Sequence, residues 1–177
     1  MDSFTHVLGG FKDLKSILKT DYPTTNIIDA KGEVVYPNHP KTAPDHIAVL
    51  GTLKSGAPAT LTYRTVTGKT IDGVGIRWLI TGTEGEIEVT IGEVQFQIEN
   101  PGTTLRVKRG KEGQVETVDL EGGVDGEDKL IKEMGWSARN TARLYEAFVE
   151  GNGDRFADFE GAVEMHKLFD LIKEAAK

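Results

Sequence analysis

Hydrophobic and polar residues alternate through the middle of the chain. Successive side chains of a strand point to opposite faces of a sheet, so this period of two predicts strands with one buried and one solvated face. Short turns containing glycine, asparagine or proline separate the segments, which is typical of an antiparallel meander. The predicted strands are Thr60–Arg64, Glu86–Thr90, Val94–Glu99, Leu105–Lys108 and Val115–Val118, with more evenly apolar central strands at Ile47–Leu50 and Ile76–Ile80.

Helical spacing occurs towards both ends of the chain. Leu144, Tyr145 and Phe148 share one face of a predicted helix that Gly151 ends. Asp158 is placed to cap a last helix, and residues 3–8 predict a short first helix. The last helix has its apolar stripe at Ala162, Met165, Phe169 and Ile172.

Two connections are predicted to lack regular structure. Residues 21–44 hold four of the six prolines and predict a long loop with a short strand at Val34–Val35. Residues 121–135 are polar and glycine-rich, and predict a mobile connection. Because the strands alternate and the late helices carry single stripes, the sequence predicts an α+β fold over one domain of residues 1–177. We expect a large open-faced, mostly antiparallel (mixed) sheet with helices packed on one face.

The composition of the chain excludes several classes of function but says little about the fold. The net charge of the 177 residues is −7, whereas nucleic acids and anionic membranes bind basic surfaces. The chain has no cysteine, which excludes disulfides and thiolate catalysis. It also has no apolar run of the ~20 residues that a membrane span needs. We therefore expect no nucleic-acid or membrane partner, and a cytoplasmic location.

Asp2 and His6 are the first candidates for chemistry. They lie four residues apart and share one face of the predicted first helix. A carboxylate that orients an imidazole is a common acid/base pair. The same spacing also arises by chance, and an aspartate at a helix start is usually a cap. The spacing alone therefore leaves catalysis and capping open.

The other histidines are weaker candidates. His39 is expected to be solvated in a loop, His46 to act structurally with Asp45, and His166 to pack on the last helix. No two histidines have metal-ligand spacing, so no metal site is predicted. The glycine pattern at residues 73–75 lacks the third glycine and the following helix of a dinucleotide fingerprint. No cofactor-binding residue is therefore predicted.

Four segments resemble the C-terminal domain of one protein family. Residues 2–9, Asp-Ser-Phe-Thr-His-Val-Leu-Gly, resemble the Asp-x-x-x-His-x-Leu-Gly segment of the glucose–fructose oxidoreductase / inositol dehydrogenase (Gfo/Idh/MocA) family. Residues 75–87 resemble its strand–turn–strand, and residues 140–148 and 158–166 resemble its two closing helices. The chain is most similar to the fungal branch that includes the galactose-regulon repressor. The resemblance covers nearly the whole chain and includes no Rossmann domain.

The resemblance implies roles that spacing alone does not. It places Asp2 and His6 in the catalytic site, as acid/base groups or contacts to a substrate hydroxyl, and implies NAD or NADP as the cofactor of a parent protein. Without the Rossmann domain, we expect an isolated substrate-side domain of a sugar or polyol oxidoreductase, natural or engineered. In such a domain the pair is vestigial, and the chain alone is not an active enzyme. The alternative is a non-enzymatic interaction, dimerisation or scaffold domain related to a transcriptional repressor.

The resemblance also changes the prediction for one segment and one surface. Apolar residues between positions 11 and 18 have helical spacing, but the family has a strand at residues 12–20, and a strand is predicted there. Polar side chains of the strands are expected to form one open face, with glutamates and basic residues paired through intervening glutamines. The family makes oligomer contacts with such a face, so a homodimer and plain solvent exposure both remain open. The predicted face comprises Thr60, Thr62, Arg77, Glu86, Glu88, Gln95, Gln97, Arg106 and Lys108.

Overall fold

The computed structural model describes residues 1–65, 68–93, 102–120, 131, 133–134, 136–153 and 156–176. Two compact units divide the chain: residues 1–65 and 157–177 form the first, and residues 66–156 form the second. The predicted strand Val94–Glu99 and residues 121–130 of the predicted mobile connection lie outside the described residues. In chain order the elements are α1 (Asp2–Leu8), β1 (Phe11–Lys19), β2 (Thr24–Ile28), β3 (Val34–Pro40), β4 (His46–Leu53), β5 (Pro58–Arg64), β6 (Val74–Gly82), β7 (Gly85–Gly92), β8 (Thr104–Arg109), β9 (Val115–Val118), α2 (Trp136–Val149) and α3 (Phe159–Ala175).

These strands form three antiparallel sheets. In the first unit, β1, β4 and β5 make a three-stranded sheet, and β2 and β3 pair as a separate hairpin. In the second unit, β6 to β9 follow one another as a four-stranded meander. The predicted α+β class with open, mostly antiparallel sheets is confirmed. Within the described residues, the strands are divided among three sheets instead of being joined in one.

The first of these strands, β1, forms where apolar spacing alone predicts a helix. Leu14 and Leu18 are half-buried on one face, whereas Lys15 and Ile17 on the other face are exposed. The strand pairs with β4 along its whole length. Pairing with a central strand therefore outweighs the helical spacing, because strand formation depends on neighbouring strands more than on local pattern. The strand predicted from the family resemblance is confirmed.

The β2–β3 hairpin corrects the long loop predicted for residues 21–44. Asp29 closes its turn, because the Asp29 carboxylate accepts hydrogen bonds from the backbone N–H groups of Lys31 (2.8 Å) and Glu33 (2.9 Å). Gly32 supplies a positive φ of 85° in the same turn. Pro37 lies within β3, where it is tolerated because a strand of a two-stranded sheet has an unpaired edge. The prolines therefore mark an edge strand here and not an irregular loop.

The three-stranded sheet has α3 packed against β1 on one of its faces. The hydroxyl of Ser16 on β1 donates a hydrogen bond to the carbonyl of Ile172 on the helix. The carboxylate of Asp158 accepts a hydrogen bond from the backbone N–H of Gly161 at 2.7 Å, so the predicted cap is confirmed. The buried apolar side chains of this unit are Phe4, Phe11, Val49, Leu53 and Ile172.

The apolar stripes predicted for the late helices are wrong for α2 and partly right for α3. On α2, Phe148 is 67% exposed, whereas Ala147 is buried. The Phe148 ring contacts Phe156 edge to face, with ring centroids 5.7 Å apart. On α3, Ile172 is buried but Phe169 is exposed. Because each residue turns a helix by about 100°, an error of one position is enough to move a predicted core side chain to the surface.

Charged side chains pair directly across β7 and β8. Arg106 lies opposite Glu88, and its Nε donates a hydrogen bond to the Glu88 carboxylate at 2.7 Å. The second oxygen of Glu88 lies 3.7 Å from Nε of Arg77 on β6. Glu86 is opposite Lys108 in the same register. The glutamates and basic residues of this sheet therefore face each other without intervening glutamines.

The nine residues predicted to share one polar face do not lie on one sheet. Thr60 and Thr62 belong to β5 in the first unit, whereas Arg77 and the charged members on β7 and β8 belong to the second. Gln95 and Gln97 lie outside the described residues. Alternation assigns side chains to a face of their own strand, but it does not determine which sheet that strand joins.

Candidate functional site

The short helix α1 is docked on β1 through two aromatic rings. Phe4 and Phe11 are both buried, and their rings stack with centroids 5.7 Å apart and planes inclined by 15°. The hydroxyl of Thr5 donates a hydrogen bond to the carbonyl of Asp2 at 3.0 Å, which reinforces the first turn. The positions of Asp2 and His6 are therefore determined by packing and by hydrogen bonds within the helix.

Asp2 is not the capping residue that its position suggests. Met1 is the N-cap, and no side chain makes a capping hydrogen bond at this end of α1. The side chains of Asp2 and His6 both line one cleft of the first unit. The structure thus brings the two predicted site residues together and removes capping as the explanation for Asp2.

The cleft has a volume of about 410 Å³, within the range of about 300–1,000 Å³ that small-molecule sites occupy. Three further charged side chains line it: Lys54 directly after β4, and Glu164 and Lys167 on α3. Sequence reasoning missed all three, because they lie far from the Asp2–His6 pair in the chain and carry no motif. Apolar walls are provided by Phe11, Met165, Leu168 and Leu171.

Glu164 and Lys167 form an ion pair on the rim of the cleft. The ammonium of Lys167 lies 2.6 Å from a carboxylate oxygen of Glu164. This hydrogen bond and the opposite charge lower the pKa of Glu164, with a smaller contribution from the charge of Lys54, and they raise the pKa of Lys167. Glu164 is therefore ionised at neutral pH and paired with Lys167, and both side chains remain mostly exposed to solvent.

Lys54 is fixed to the turn that follows α1. Its backbone N–H donates a hydrogen bond to the carbonyl of Gly10 at 2.9 Å. Its side chain runs beside the same glycine, since a Cβ placed on Gly10 would lie 3.6 Å from Cε and 3.8 Å from Nζ of Lys54. Within the described residues, no carboxylate approaches the Lys54 ammonium closely enough for an ion pair. The Lys54 ammonium therefore makes no close ion pair among these residues, although its charge contributes to the lowered pKa of Glu164.

Asp45 and His46 have structural partners outside the cleft. The Asp45 carboxylate is fully buried and accepts hydrogen bonds from the backbone N–H of Tyr22 at 2.7 Å and from the ammonium of Lys41. The hydrogen bond from Lys41, followed by that from Tyr22, lowers the pKa of Asp45. His46 Nε2 lies 3.1 Å from a carboxylate oxygen of Asp21. Both residues stabilise the base of the hairpin, in agreement with the structural role expected from the sequence.

The other histidines that the sequence suggests form no further candidate site among the described residues. His39 is exposed on β3, and His166 is exposed on α3 with its ring edge to face with Phe169 at 6.3 Å. Among the described residues, no three His, Asp or Glu side chains could together hold a metal ion. No helix in the described part of the chain is long and apolar enough to cross a membrane.

The glycines at residues 73–75 do not fit a dinucleotide. Gly73 has a positive φ of 70°, but the following residues enter β6 and not a helix. A Cβ on Gly75 would lie 2.8 Å from the carbonyl oxygen of Gly92, so this glycine serves strand packing. A pyrophosphate site needs a helix N-terminus directly after the glycine turn, and this segment provides none.

A sequence model of the Gal80p C-terminal domain matches residues 1–91. The chain belongs to this family. A search of curated protein sequences finds no protein that matches this chain.

Solved structures place the Gal80p-family chain in a wider fold group. The transcriptional regulator Gal80p from Kluyveromyces lactis has a TM-score of 0.67 and 19% identity, over 99% of this chain and 41% of that chain. An apo levoglucosan dehydrogenase has a TM-score of 0.66 and 19% identity, over 99% and 46%. An NAD-binding oxidoreductase from Klebsiella pneumoniae has a TM-score of 0.66 and 16% identity, over 99% and 46%. At these identities the likeness shows the fold alone, and this Gal80p-family chain spans less than half the length of these relatives.

The recognition made from sequence is therefore confirmed. The chain is a Gal80p-type C-terminal domain, and its fold is similar to that of part of levoglucosan dehydrogenase. The Asp2–His6 segment falls within the matched residues 1–91, whereas Glu164 and Lys167 lie beyond them. The cleft thus combines residues inside and outside the part of the chain that the family pattern covers.

Proposed function

We propose that this chain is the substrate-side domain of a sugar or polyol oxidoreductase, and that Asp2 and His6 contact hydroxyl groups of the ligand. The observation that carries this proposal is the cleft, which joins both side chains with an apolar wall on one docked helix–sheet unit. Levoglucosan dehydrogenase, which has the same fold, has been solved in complex with NADH and levoglucosan.

The chemistry of the lining suits a polyhydroxylated ligand. Each hydroxyl can donate and accept a hydrogen bond. The Asp2 carboxylate can accept one, and the ring nitrogens of His6 are further hydrogen-bonding groups. The Met165 and Leu168 side chains provide contacts for the C–H groups of the ligand. A few placed polar groups against an apolar wall are the usual composition of a small-molecule site.

Turnover is expected to need a second domain. Residues 73–75 do not fit a dinucleotide, and NAD or NADP would be held by a Rossmann domain of a longer parent protein. We therefore expect the 177-residue chain to bind a polyol in the cleft but not to oxidise it. A cytoplasmic location remains part of the proposal.

The second candidate is a non-enzymatic interaction or dimerisation domain. The match to the Gal80p C-terminal domain favours it, because the solved Kluyveromyces lactis Gal80p is a transcriptional regulator. A homodimer would use the polar face of β6–β9, on which Glu88, Arg77 and Arg106 carry opposite charges that a two-fold axis can pair. Such an interface would be held by charge and water, not by an apolar core.

Ligand-observed saturation-transfer NMR with D-sorbitol tests the first candidate. We expect transfer to the native chain and its loss in His6→Gln and Asp2→Asn. His39→Gln is the matched control, because His39 is exposed on the hairpin and outside the cleft. Transfer that persists in both cleft variants, or no transfer to the native chain, would contradict the proposal. In the latter case a dimer detected by sedimentation would favour the second candidate.

A further inference from the structure

The β2–β3 hairpin has one edge that is protected against pairing with another chain and one that is not. On the protected side, β3 contains Pro37 and Pro40, which have no N–H group to donate. The register shifts of the hairpin also place their extra residues in β3, which advances three residues where β2 advances two, and two where β2 advances one. Prolines and bulges are devices that keep an edge strand from pairing with other chains.

The other strand, β2, has none of these devices. Its five residues, Thr24–Ile28, include no proline and no charged side chain, and four of the five are β-branched. All five are exposed, and β3 is the only strand that pairs with β2 in the described part of the chain. The side chain of Asn26 is directed towards β3, because its oxygen accepts a hydrogen bond from the backbone N–H of Asn38 at 3.1 Å. The outer edge of β2 is therefore open to a further strand.

The hairpin also lacks the packing that a two-stranded sheet usually needs. An isolated hairpin is marginally stable in water, whereas three or more strands with a shared apolar face are stable. Ile28 and Tyr36 are 59% and 63% exposed, and the extensive contacts of β2 and β3 within the described residues are with each other. At its base, the buried Asp45 carboxylate accepts a hydrogen bond from the backbone N–H of Tyr22 at 2.7 Å. The hairpin is thus fixed at its base and open along β2.

We propose that β2 pairs antiparallel with β2 of a second copy of this chain, so that two hairpins form one four-stranded sheet in the order β3–β2–β2–β3. A two-fold axis requires the same edge from both copies. Because β2 carries no charged side chain, the two edges meet without charge repulsion, and the exposed Ile27 and Ile28 of both copies come side by side. The outer edges of the new sheet are the protected β3 strands, so association stops at a dimer.

This interface is separate from the cleft and from the polar face of β6–β9. The described lining of the cleft includes no hairpin residue, and the hairpin belongs to the first unit, whereas β6–β9 belong to the second. A strand of five residues is a small contact compared with the about 800 Å² per partner of a standard interface. We therefore expect a weak dimer, with a dissociation constant of about micromolar or higher.

Sedimentation equilibrium of the 177-residue chain at concentrations up to about 1 mM tests the proposal with two matched variants. Thr25 on the open strand and His39 on the protected strand lie opposite each other in the hairpin register. Thr25→Lys should weaken dimerisation about tenfold or more, because it places a lysine from each copy beside the two-fold axis. His39→Lys adds the same charge to the same hairpin and should leave the dissociation constant unchanged.

Spin labelling locates the contact without any substitution in β2. The chain has no cysteine, so Lys31→Cys provides a single attachment site for a nitroxide at the hairpin turn. The spin-labelled chain is mixed with an isotope-labelled chain that carries no nitroxide. Antiparallel pairing brings the turn of one hairpin next to the base of the other, so we expect broadening of the amide signals of Thr24 and its neighbours in the isotope-labelled copy.

Three results would overturn the proposal. The first is a monomer throughout the concentration range. The second is an equal effect of Thr25→Lys and His39→Lys on dimerisation, or the formation of species larger than a dimer, because the β3 edges would then not be protected. The third is broadening centred on β6–β9, which would show a dimer that uses the polar face of the second unit instead of the hairpin.

Discussion

Replacement of Phe11 by alanine should strongly destabilise the first unit. Phe11 is 8% exposed and stacks on Phe4, and it lies opposite Leu53 in the β1–β4 register. An aromatic side chain buries about 150–250 Å², which at ~25 cal/mol per Å² corresponds to about 4–6 kcal/mol. Residual burial in the unfolded chain lowers this figure by about 10–40%. We therefore expect Phe11→Ala to lower the free energy of unfolding by about 2–5 kcal/mol, which overlaps the usual range for such changes.

Phe148→Ala is the matched control for this prediction. Phe148 is 67% exposed, and its described ring contact is with Phe156, so we expect a loss below about 1 kcal/mol. Urea denaturation followed by far-UV circular dichroism measures both variants. Both tryptophans belong to the second unit, so tryptophan fluorescence alone is not a suitable probe of Phe11→Ala. Equal losses in the two variants would refute the assignment of Phe11 to the core and of Phe148 to the surface.

Four further predictions follow from the described contacts. The pKa of Asp45 is lowered from its ordinary 3.8 in the folded chain. The ionised Asp45 carboxylate therefore stabilises the fold fully above pH 3.8, and this stabilisation is lost as the pH falls through the lower, folded-state pKa. Urea denaturation at acid pH should show this loss in the native chain and not in Asp45→Asn. Gly51→Ala should destabilise the chain by about 1–3 kcal/mol, since a Cβ there would clash with the Asp13 carbonyl; Gly153→Ala, which has open space, is the control for the thermal melt. His6→Ala should cost under about 1 kcal/mol by urea denaturation, because His6 is exposed. A homodimer through the polar face of β6–β9, if present, should dissociate between low salt and ~1 M NaCl in sedimentation experiments; a salt-independent dimer would mean an apolar interface.

The strands were predictable because their pattern is local. Alternation in the chain specifies β5, β7, β8 and β9 to within a few residues of their observed bounds. The sequence predicts only the short strand at Val34–Val35, which falls in β3, and not the hairpin at residues 24–40, because a high density of prolines is typical of a loop. In the structure, Asp29 closes the turn, and an Asp-x-x-Gly turn between two β-branched segments was the signal that could have identified it.

Packing between distant elements was less predictable. The spacing of Phe148 identifies a helix but not the direction in which each side chain points, and the structure exposes this residue. The Asp2–His6 pair was identified because both residues lie in one short motif. Glu164 reaches the same cleft only through the docking of α3 on β1, whereas Lys54 is placed by the backbone hydrogen bond to Gly10. A single sequence does not specify that docking, so the charge of the site could not be predicted from it.

A backbone amide chemical-shift map with D-sorbitol shows whether the cleft binds a polyhydroxylated ligand. We expect saturable shifts confined to α1, the Gly10 turn, the segment after β4 at Lys54, and the face of α3 that carries Glu164 and Lys167. His6→Gln should abolish them while leaving the spectrum of a folded chain. Saturable shifts centred on β6–β9 or on the hairpin would contradict ligand binding by the cleft. An unchanged map in His6→Gln would contradict the role of His6 in that binding.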